Sequence, residues 1–375
     1  MPRKVVLFTD LPESSSIKVA LDRLSYYGHL HVLPCIRSER GSIRAALAGA
    51  CGLLCRPNDG IEFMPSDLEL ALSPFIVGTF SSGIDHLKGI NGLPGVSIER
   101  SHGGNAAGVA DLAINSAITL TRRSAIAQQS MQHGVFEAPA GTRVERKHWM
   151  LIGAGEQASH VIAKCAGFGI DRFTVYHDQM TDQKLHNCIR KVPPELLISR
   201  SPLQFQFKST VGQTTTVAGT GDLFGTIPQA DIISLHVPAK LPDPVTGRPG
   251  TEGMVNSQFL ALMKDPSFLI NVSRGSLVNE RAIIDWLQSH PDCGYAADVV
   301  DPRAERQKDP TLSTLHQEYI RNSHNSDPRS LLNLILTPHI GGSAIEDFDS
   351  VCSEVLIRVL QALNIAVPEP LGRSL

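Results

Sequence analysis

Arg274 and His339 are the residues whose types and settings speak most directly of chemistry. Arg274 stands in Phe-Leu-Ile-Asn-Val-Ser-Arg-Gly-Ser, residues 268–276, and His339 in Leu-Thr-Pro-His-Ile-Gly-Gly, residues 336–342. Each follows a short apolar run that reads as a buried parallel strand, and each precedes small or turn-forming residues. In an open α/β sheet, ligands gather outside the carboxyl ends of the strands. A guanidinium there can hold a carboxylate in two-pronged fashion, and an imidazole can give or take a proton near neutral pH. Taken singly, either residue is also compatible with an ordinary loop.

A second constellation concerns phosphate. Gly153-Ala-Gly155-Glu-Gln-Ala158 follows one apolar run and opens a helical pattern, matching G-x-G-x-x-A. The first glycine permits a tight turn, the second lets backbone approach a pyrophosphate, and a small third residue lets helix and strand pack closely. Asp178 lies 23 residues beyond Gly155, just past Phe173-Thr-Val-Tyr176. A carboxylate there accepts hydrogen bonds from ribose hydroxyls and repels a 2′-phosphate, which favours NAD over NADP. Glu156 and Gln157 are less favourable: one places negative charge near the expected pyrophosphate and the other is polar. His236 ends another strand and lines the cofactor or serves the structure alone. Asp298, after Gly-Tyr-Ala-Ala, is expected to meet a nicotinamide carboxamide. Val272 and Gly342 are placed with the cofactor residues.

The elements that must position these groups alternate strand with helix, which argues for parallel sheets. In the first part of the chain the strands are Val5–Phe8, Leu30–Leu33, Leu53–Cys55, Phe75–Val77 and Val96–Ile98, with helices over Ile17–Tyr26 and Ile43–Ala50. A long small-residue helix follows over Ala106–Leu120, and residues 122–148 read as a connection. A second series has strands at Trp149–Ile152, Phe173–Tyr176, Ile232–Leu235, Phe268–Val272, Tyr295–Ala297 and Ile335–Leu336, and the closing helix spans Phe348–Leu363. The expected domains are 1–121 plus 344–375 for substrate and 122–343 for dinucleotide. Residues 179–228 and 303–330 read as solvated insertions. In the first domain, Gly78-Thr-Phe-Ser-Ser-Gly-Ile-Asp85 offers backbone N–H groups as a nest for a carboxylate, drawing in Ser82 and Gly83. Arg56, ending a neighbouring strand, suits a distal carboxylate or phosphate or an ordinary surface ion pair.

Composition narrows the classes. With 42% hydrophobic residues, 375 residues suffice for two ordinary cores. A net charge of −3 gives no electrostatic footprint for nucleic acid or anionic membrane. The apolar run after Met1-Pro-Arg-Lys is too short for a leader, and no stretch approaches a membrane span. Seven scattered cysteines imply reduced thiols and a cytoplasmic chain. No His-x-x-x-His or Cys-x-x-Cys spacing occurs, so no metal is expected.

Together the blocks Gly-Thr-Phe-Ser-Ser-Gly-Ile-Asp-His, Gly-Asn-Ala-Ala-Gly-Val-Ala-Asp, Gly-Ala-Gly, Ser-Leu-His-Val-Pro, Asn-Val-Ser-Arg-Gly and Thr-Pro-His-Ile-Gly-Gly resemble the D-2-hydroxyacid dehydrogenase family over roughly residues 50–345. The resemblance implies an α/β fold: two Rossmann-like, doubly wound parallel-sheet domains with an active-site cleft between them. It implies NAD as cofactor, a small 2-hydroxy or 2-oxo acid as substrate, and a homodimer. Arg274 would bind the substrate carboxylate and polarise its carbonyl, and His339 would be the acid/base. The family also uses a glutamate beside the histidine, usually in a Glu-Pro pair shortly after the position of Asp298. An ungapped match puts Arg303 there. Asp301, followed by Pro302, is the preferred substitute, and Glu305 is the other candidate. The competing readings are a dinucleotide-sensing or interaction protein on the same scaffold, and a formate-type dehydrogenase.

Overall fold

The computed structural model describes residues 4–7, 21, 30–32, 40–57, 62–137, 139–209, 212–327 and 329–367. The expected helix over Ile17–Tyr26 lies outside them except for Leu21. The chain divides into two compact units, residues 1–105 with 342–375 and residues 106–341.

Among the described residues, unit 1 is built on five parallel strands: β1 (Val5–Leu7), β2 (Leu30–Val32), β3 (Gly52–Cys55), β4 (Phe75–Thr79) and β5 (Val96–Arg100). Their order is β2-β1-β3-β4-β5. Strands β1, β3 and β4 are buried along their whole length, so both faces need cover. One face packs Val5, Leu7, Leu54 and Ile76 against Val351, Val355 and Val359 of the helix Ile345–Ala362. The other packs Val6, Leu53 and Val77 against Ile43 and Leu47 of the helix Arg40–Leu47. The alternation along β1 and β3 is the two-residue period of an extended strand. Thus the C-terminal helix returns to the first sheet.

Among the described residues, unit 2 holds a sheet of nine strands. They are β6 (His148–Ile152), β7 (Arg172–Tyr176), β8 (Leu197–Ser201), β9 (Gln204–Lys208), β10 (Thr214–Thr220), β11 (Ile232–Leu235), β12 (Phe268–Asn271), β13 (Gly294–Ala297) and β14 (Leu334–Leu336). The order is β14-β13-β12-β11-β6-β7-β10-β9-β8, parallel except for the antiparallel edge made by β9 and β8. Strand order therefore reverses between β6 and β11, the place where doubly wound sheets bind ligands. Trp149 and Leu151 face a core shared with the helices Ala106–Thr121 and Glu156–Cys165, while Met150 and Ile152 face one shared with Glu280–Ser289.

Several expectations need correction. The helix Ala106–Thr121 falls in unit 2, because Val109, Ala113, Ala117 and Leu120 pack among Trp149, Leu151 and Phe173. The stretch 122–148 contains a helix, Ser124–Gln132, that buries only Ile126 and Ser130 and so shows little apolar periodicity. Residues 179–228 are not mere decoration: besides the helix Asp182–Ile189 they supply β10, which pairs with β7, and the β8–β9 hairpin, which sends Phe205 and Phe207 into the core. Residues 303–330 form the helices Pro302–Gln307 and Thr314–Ser323.

Candidate active site

The register of the second sheet gathers the functional residues. Ile152, Leu235, Asn271, Ala297 and Leu336 lie side by side across β6, β11, β12, β13 and β14. The next residues on those chains are Gly153, His236, Val272, Asp298 and Thr337. Arg274 and His339 each follow two residues later. One row of strand ends thus carries the phosphate turn and both candidate catalytic groups.

His339 sits in a tightly determined loop. Its own φ is +56°, in the left-handed region that side-chain-bearing residues seldom adopt. Buried Asp298 holds the loop there. Its Oδ1 accepts from Thr337 Oγ1 at 2.6 Å and from the Ile340 N–H at 2.8 Å, and its Oδ2 accepts from the Gly341 N–H at 2.7 Å. The His339 N–H donates to the Asp298 carbonyl at 2.9 Å. A side chain on Gly341 would come within 2.9 Å of Asp298 Oδ2, so that approach requires glycine. Burial pushes the Asp298 carboxyl above its ordinary range, against the pull of these donors. Both oxygens of Asp298, the residue expected to meet a nicotinamide carboxamide, thus hold the histidine loop.

The acid beside His339 is Glu305. The His339 Nδ1–H donates to Glu305 Oε2 at 3.2 Å; a carboxylate can only accept, so Nδ1 carries the hydrogen and Nε2 is left for other chemistry. Glu305 Oε1 accepts the Val300 N–H at 2.9 Å, which fixes the carboxylate. This bond raises the His339 pKa above the ordinary imidazole value. Desolvation opposes the rise, Asp298 adds to it, and the Arg274 cation opposes it. Asp301, the preferred candidate, is corrected. It caps the helix Pro302–Gln307 by accepting from the Arg303 N–H at 2.7 Å, and its carboxylate pairs with the Arg303 guanidinium at 2.7 Å. An aspartate followed by proline is a helix-start signature, Asp at the cap and Pro at the first helical position, and that was the signal available in the sequence.

Arg274 is positioned by its turn. Asn271 Nδ2 donates to the Arg274 carbonyl at 2.9 Å, and Ser273 Oγ donates to the Val237 carbonyl at 2.5 Å. Gly275 then lies against Val300: an added Cβ would meet the Val300 carbonyl oxygen at 1.6 Å. The Arg274 turn and the segment leading to Glu305 are thereby locked together. Val272 is buried in the core, so its side chain belongs to packing. Glu280, absent from the sequence reading, anchors the Glu305 segment. It accepts from the Asp301 N–H, Ser313 Oγ, Thr314 Oγ1 and the Leu315 N–H at 2.8–3.2 Å.

The phosphate turn fits a dinucleotide. Gly153 has φ +122°, and a Cβ there would meet the His236 carbonyl oxygen at 2.6 Å, so strand β6 can turn beside β11 only with glycine. Above Gly155, by contrast, an added Cβ meets nothing within 4 Å, which leaves the backbone at the start of the helix Glu156–Cys165 open to approach. Ala158 is fully buried, as close packing requires. Asp178 lies just past β7, the neighbour of β6, with its carboxylate half exposed beside His177. Trp149 Nε1 donates to Ser234 Oγ at 2.9 Å, which bonds His236 Nε2 at 2.8 Å, and His236 Nδ1 donates to Gln157 Oε1 at 3.0 Å. Desolvation lowers the His236 pKa to about 4, which favours the neutral ring.

The remaining expected residues belong to unit 1. Arg56 stacks on the Phe348 ring with 4.6 Å to its centre, rather than standing only as a surface cation. Ser82 Oγ donates to Asn105 Oδ1 at 2.9 Å, Arg100 Nη1 donates to the Ser82 carbonyl at 2.8 Å, and Ser81 Oγ donates to the Gly83 carbonyl at 2.6 Å. These bonds tie down the oxygens of the loop. Gly342 backs onto Asn105, where a Cβ would fall 2.5 Å from Nδ2. The six described cysteines are buried and in no disulfide, and no metal-binding group of His, Cys, Asp and Glu occurs among the described residues. No described helix is long and apolar enough to cross a membrane.

Comparison with known proteins bears on the fold and on part of the second unit. Solved structures with the same fold include D-lactate dehydrogenase from Aquifex aeolicus complexed with NAD and lactic acid, at TM-score 0.68 and 18% identity, covering 96% of each chain. D-mandelate dehydrogenase from Rhodotorula graminis gives TM-score 0.69 and 18% identity over 97% of this chain and 94% of the other. At such identities the likeness establishes the fold. In sequence, D-3-phosphoglycerate dehydrogenase 1 of Saccharomyces cerevisiae is 26% identical over 77% of this chain and 52% of its own length. D-3-phosphoglycerate dehydrogenase of Escherichia coli K12 is 32% identical over 41% of this chain and 32% of its own. The chain spans about half the length of the first curated relatives it matches. Residues 204–341, which begin after the Gly153 turn, match the model described as D-isomer specific 2-hydroxyacid dehydrogenase, NAD binding domain. Over residues 204–341 the chain is thus similar to the NAD-binding domain of the D-isomer specific 2-hydroxyacid dehydrogenases.

Proposed function

We propose that the protein is an NAD-dependent oxidoreductase that interconverts a small D-2-hydroxy acid and its 2-oxo acid. The observation that carries this reading is the His339–Glu305 pair, standing on the same row of strand ends as Arg274 and the Gly153 turn. When bound, NAD supplies or takes the hydride at the substrate C2. Arg274 holds the carboxylate through its guanidinium and polarises the neighbouring carbonyl. His339 Nε2 gives a proton to the carbonyl oxygen during reduction and takes it from the hydroxyl during oxidation. Glu305 keeps the imidazole in the orientation that presents Nε2 and favours its charged form. Gly153, Gly155, Gln157 and Asp178 are assigned to the cofactor. Arg56, Ser82 and Gly83 are assigned to substrate. The names of the phosphoglycerate dehydrogenase relatives make a phosphorylated 2-oxo acid a candidate substrate. A homodimeric, cytoplasmic protein belongs to the same proposal.

NADH consumption against a panel of 2-oxo acids tests it. The panel holds glyoxylate, hydroxypyruvate, its 3-phosphate, pyruvate, 2-oxoglutarate and branched 2-oxo acids. Turnover is expected for a subset and disappears in His339→Ala and Arg274→Ala. Silence across the panel, with NADH still bound, overturns the enzyme reading in favour of a dinucleotide sensor. Sedimentation analysis reads the oligomeric state.

A further inference from the structure

The cofactor turn carries an acidic residue at an unfavourable place. Glu156 opens the helix Glu156–Cys165, whose N-terminal N–H groups are those an anionic pyrophosphate would use. A free carboxylate beside that position repels the phosphates. The structure shows where this charge goes. The Arg190 guanidinium forms a close ion pair with Glu156 Oε1, and Lys191 Nζ lies 3.8 Å from Oε2. Both cations come from the end of the neighbouring helix Asp182–Ile189, where Arg190 is the C-cap. Two cations against one carboxylate leave this corner of the turn net positive.

We propose that Arg190, with Lys191, is an affinity-determining residue for the dinucleotide, acting through Glu156. Arg190 draws the carboxylate toward the 182–189 helix and cancels its charge, so that the turn still accepts pyrophosphate. Arg190 is therefore a positioning residue, and its effect depends on the charge at 156. This inference rests on the NAD reading of the turn. It also gives the acidic residue in the fingerprint a use: Glu156 fixes the end of the 182–189 helix against the phosphate-binding helix.

The test is calorimetric titration of the full chain with ADP-ribose, which carries the pyrophosphate, and with adenosine, which does not. Variants are Arg190→Ala, Glu156→Gln and the double change, with Arg190→Lys as the conservative control. Arg190→Ala is expected to weaken ADP-ribose about fivefold, the scale of one exposed unit charge acting on a nearby doubly charged group, and more at low salt. Adenosine binding stays the same. In the Glu156→Gln background the Arg190→Ala change costs clearly less, because no carboxylate is released toward the turn, and in the parent Arg190→Lys retains most of the affinity. An equal loss in both backgrounds overturns the action through Glu156, as does an unchanged ADP-ribose affinity in Arg190→Ala. If the unmodified protein binds neither ADP-ribose nor NADH, the dinucleotide reading itself fails and the inference falls with it.

Discussion

Replacing Glu305 by glutamine isolates the partner of the proposed acid/base. In the parent, Glu305 Oε1 takes the Val300 N–H and Oε2 takes the His339 Nδ1–H. Glutamine has nearly the same shape, and its amide oxygen can keep one of the two bonds, but it brings no charge. The His339 imidazolium then loses its largest support while the opposing Arg274 cation remains, so its pKa falls. Reduction of a 2-oxo acid needs the imidazolium, which exists below that pKa. The rate in the variant should therefore decline at lower pH than in the parent. Oxidation needs the neutral ring and should begin at lower pH. A hydrogen bond to a charged partner contributes ~1.5–3 kcal/mol when well shielded. The His339 side chain is 51% exposed and that of Glu305 29%, so solvent screening places this bond at the lower end. About 1.5 kcal/mol corresponds to roughly a tenfold loss of reductive turnover on the alkaline side, with a smaller loss at acid pH. Initial rates of NADH oxidation from about pH 5 to about pH 9 read both effects, and histidine NMR titration reads the pKa without any substrate. Superimposable pH profiles for parent and Glu305→Gln would refute the role given to Glu305. Asp301→Ala is the matched control. It should leave the profile in place while destabilising the fold by ~1 kcal/mol through the lost helix cap.

Other perturbations separate scaffold from chemistry. Asp298→Ala strands the three donors that hold the histidine loop and should lower unfolding free energy by about 3 kcal/mol in urea melts; an unchanged midpoint would show that the loop holds itself. Gly275→Ala pushes backbone against the Val300 carbonyl, a contact that no side-chain rotation relieves, and should destabilise by roughly 3 kcal/mol. Thermal unfolding checks it, and a stable variant would mean that the Arg274 turn can shift. Asp178→Ala should weaken NADH about tenfold and narrow the gap to NADPH, read by fluorescence titration; an unaltered preference would place the ribose elsewhere.

What was legible in the sequence follows from what is local. Parallel strands buried on both faces write themselves as unbroken apolar runs, so Ile232–Leu235 and Phe268–Asn271 show plainly, and the residues after them are the row that carries the site. The tight turn after β6 was legible because its requirements are backbone requirements, met by glycine at 153. The identity of the acid was not, because it depends on where the helix Pro302–Gln307 points, and that is set by Glu280 over twenty residues away in the chain. The β8–β9 hairpin did leave a trace: Gln204-Phe-Gln-Phe-Lys208 alternates with the two-residue period of a strand having one buried face. The allegiance of the helix Ala106–Thr121 left none. Its small residues pack closely against any partner, and only the assembled core of unit 2 decides which.

The left-handed backbone at His339 sets strain against a bond. A residue with a Cβ pays about 1 kcal/mol or more to stay in that conformation, which glycine occupies without penalty. Asp298 holds the loop in that shape whatever the side chain at 339. His339→Gly should thus relieve that strain while giving up the bond to Glu305, so the two effects nearly cancel in stability and only the proposed acid/base is lost. The bond to Glu305 is what keeps an imidazole in a backbone shape that would otherwise favour glycine.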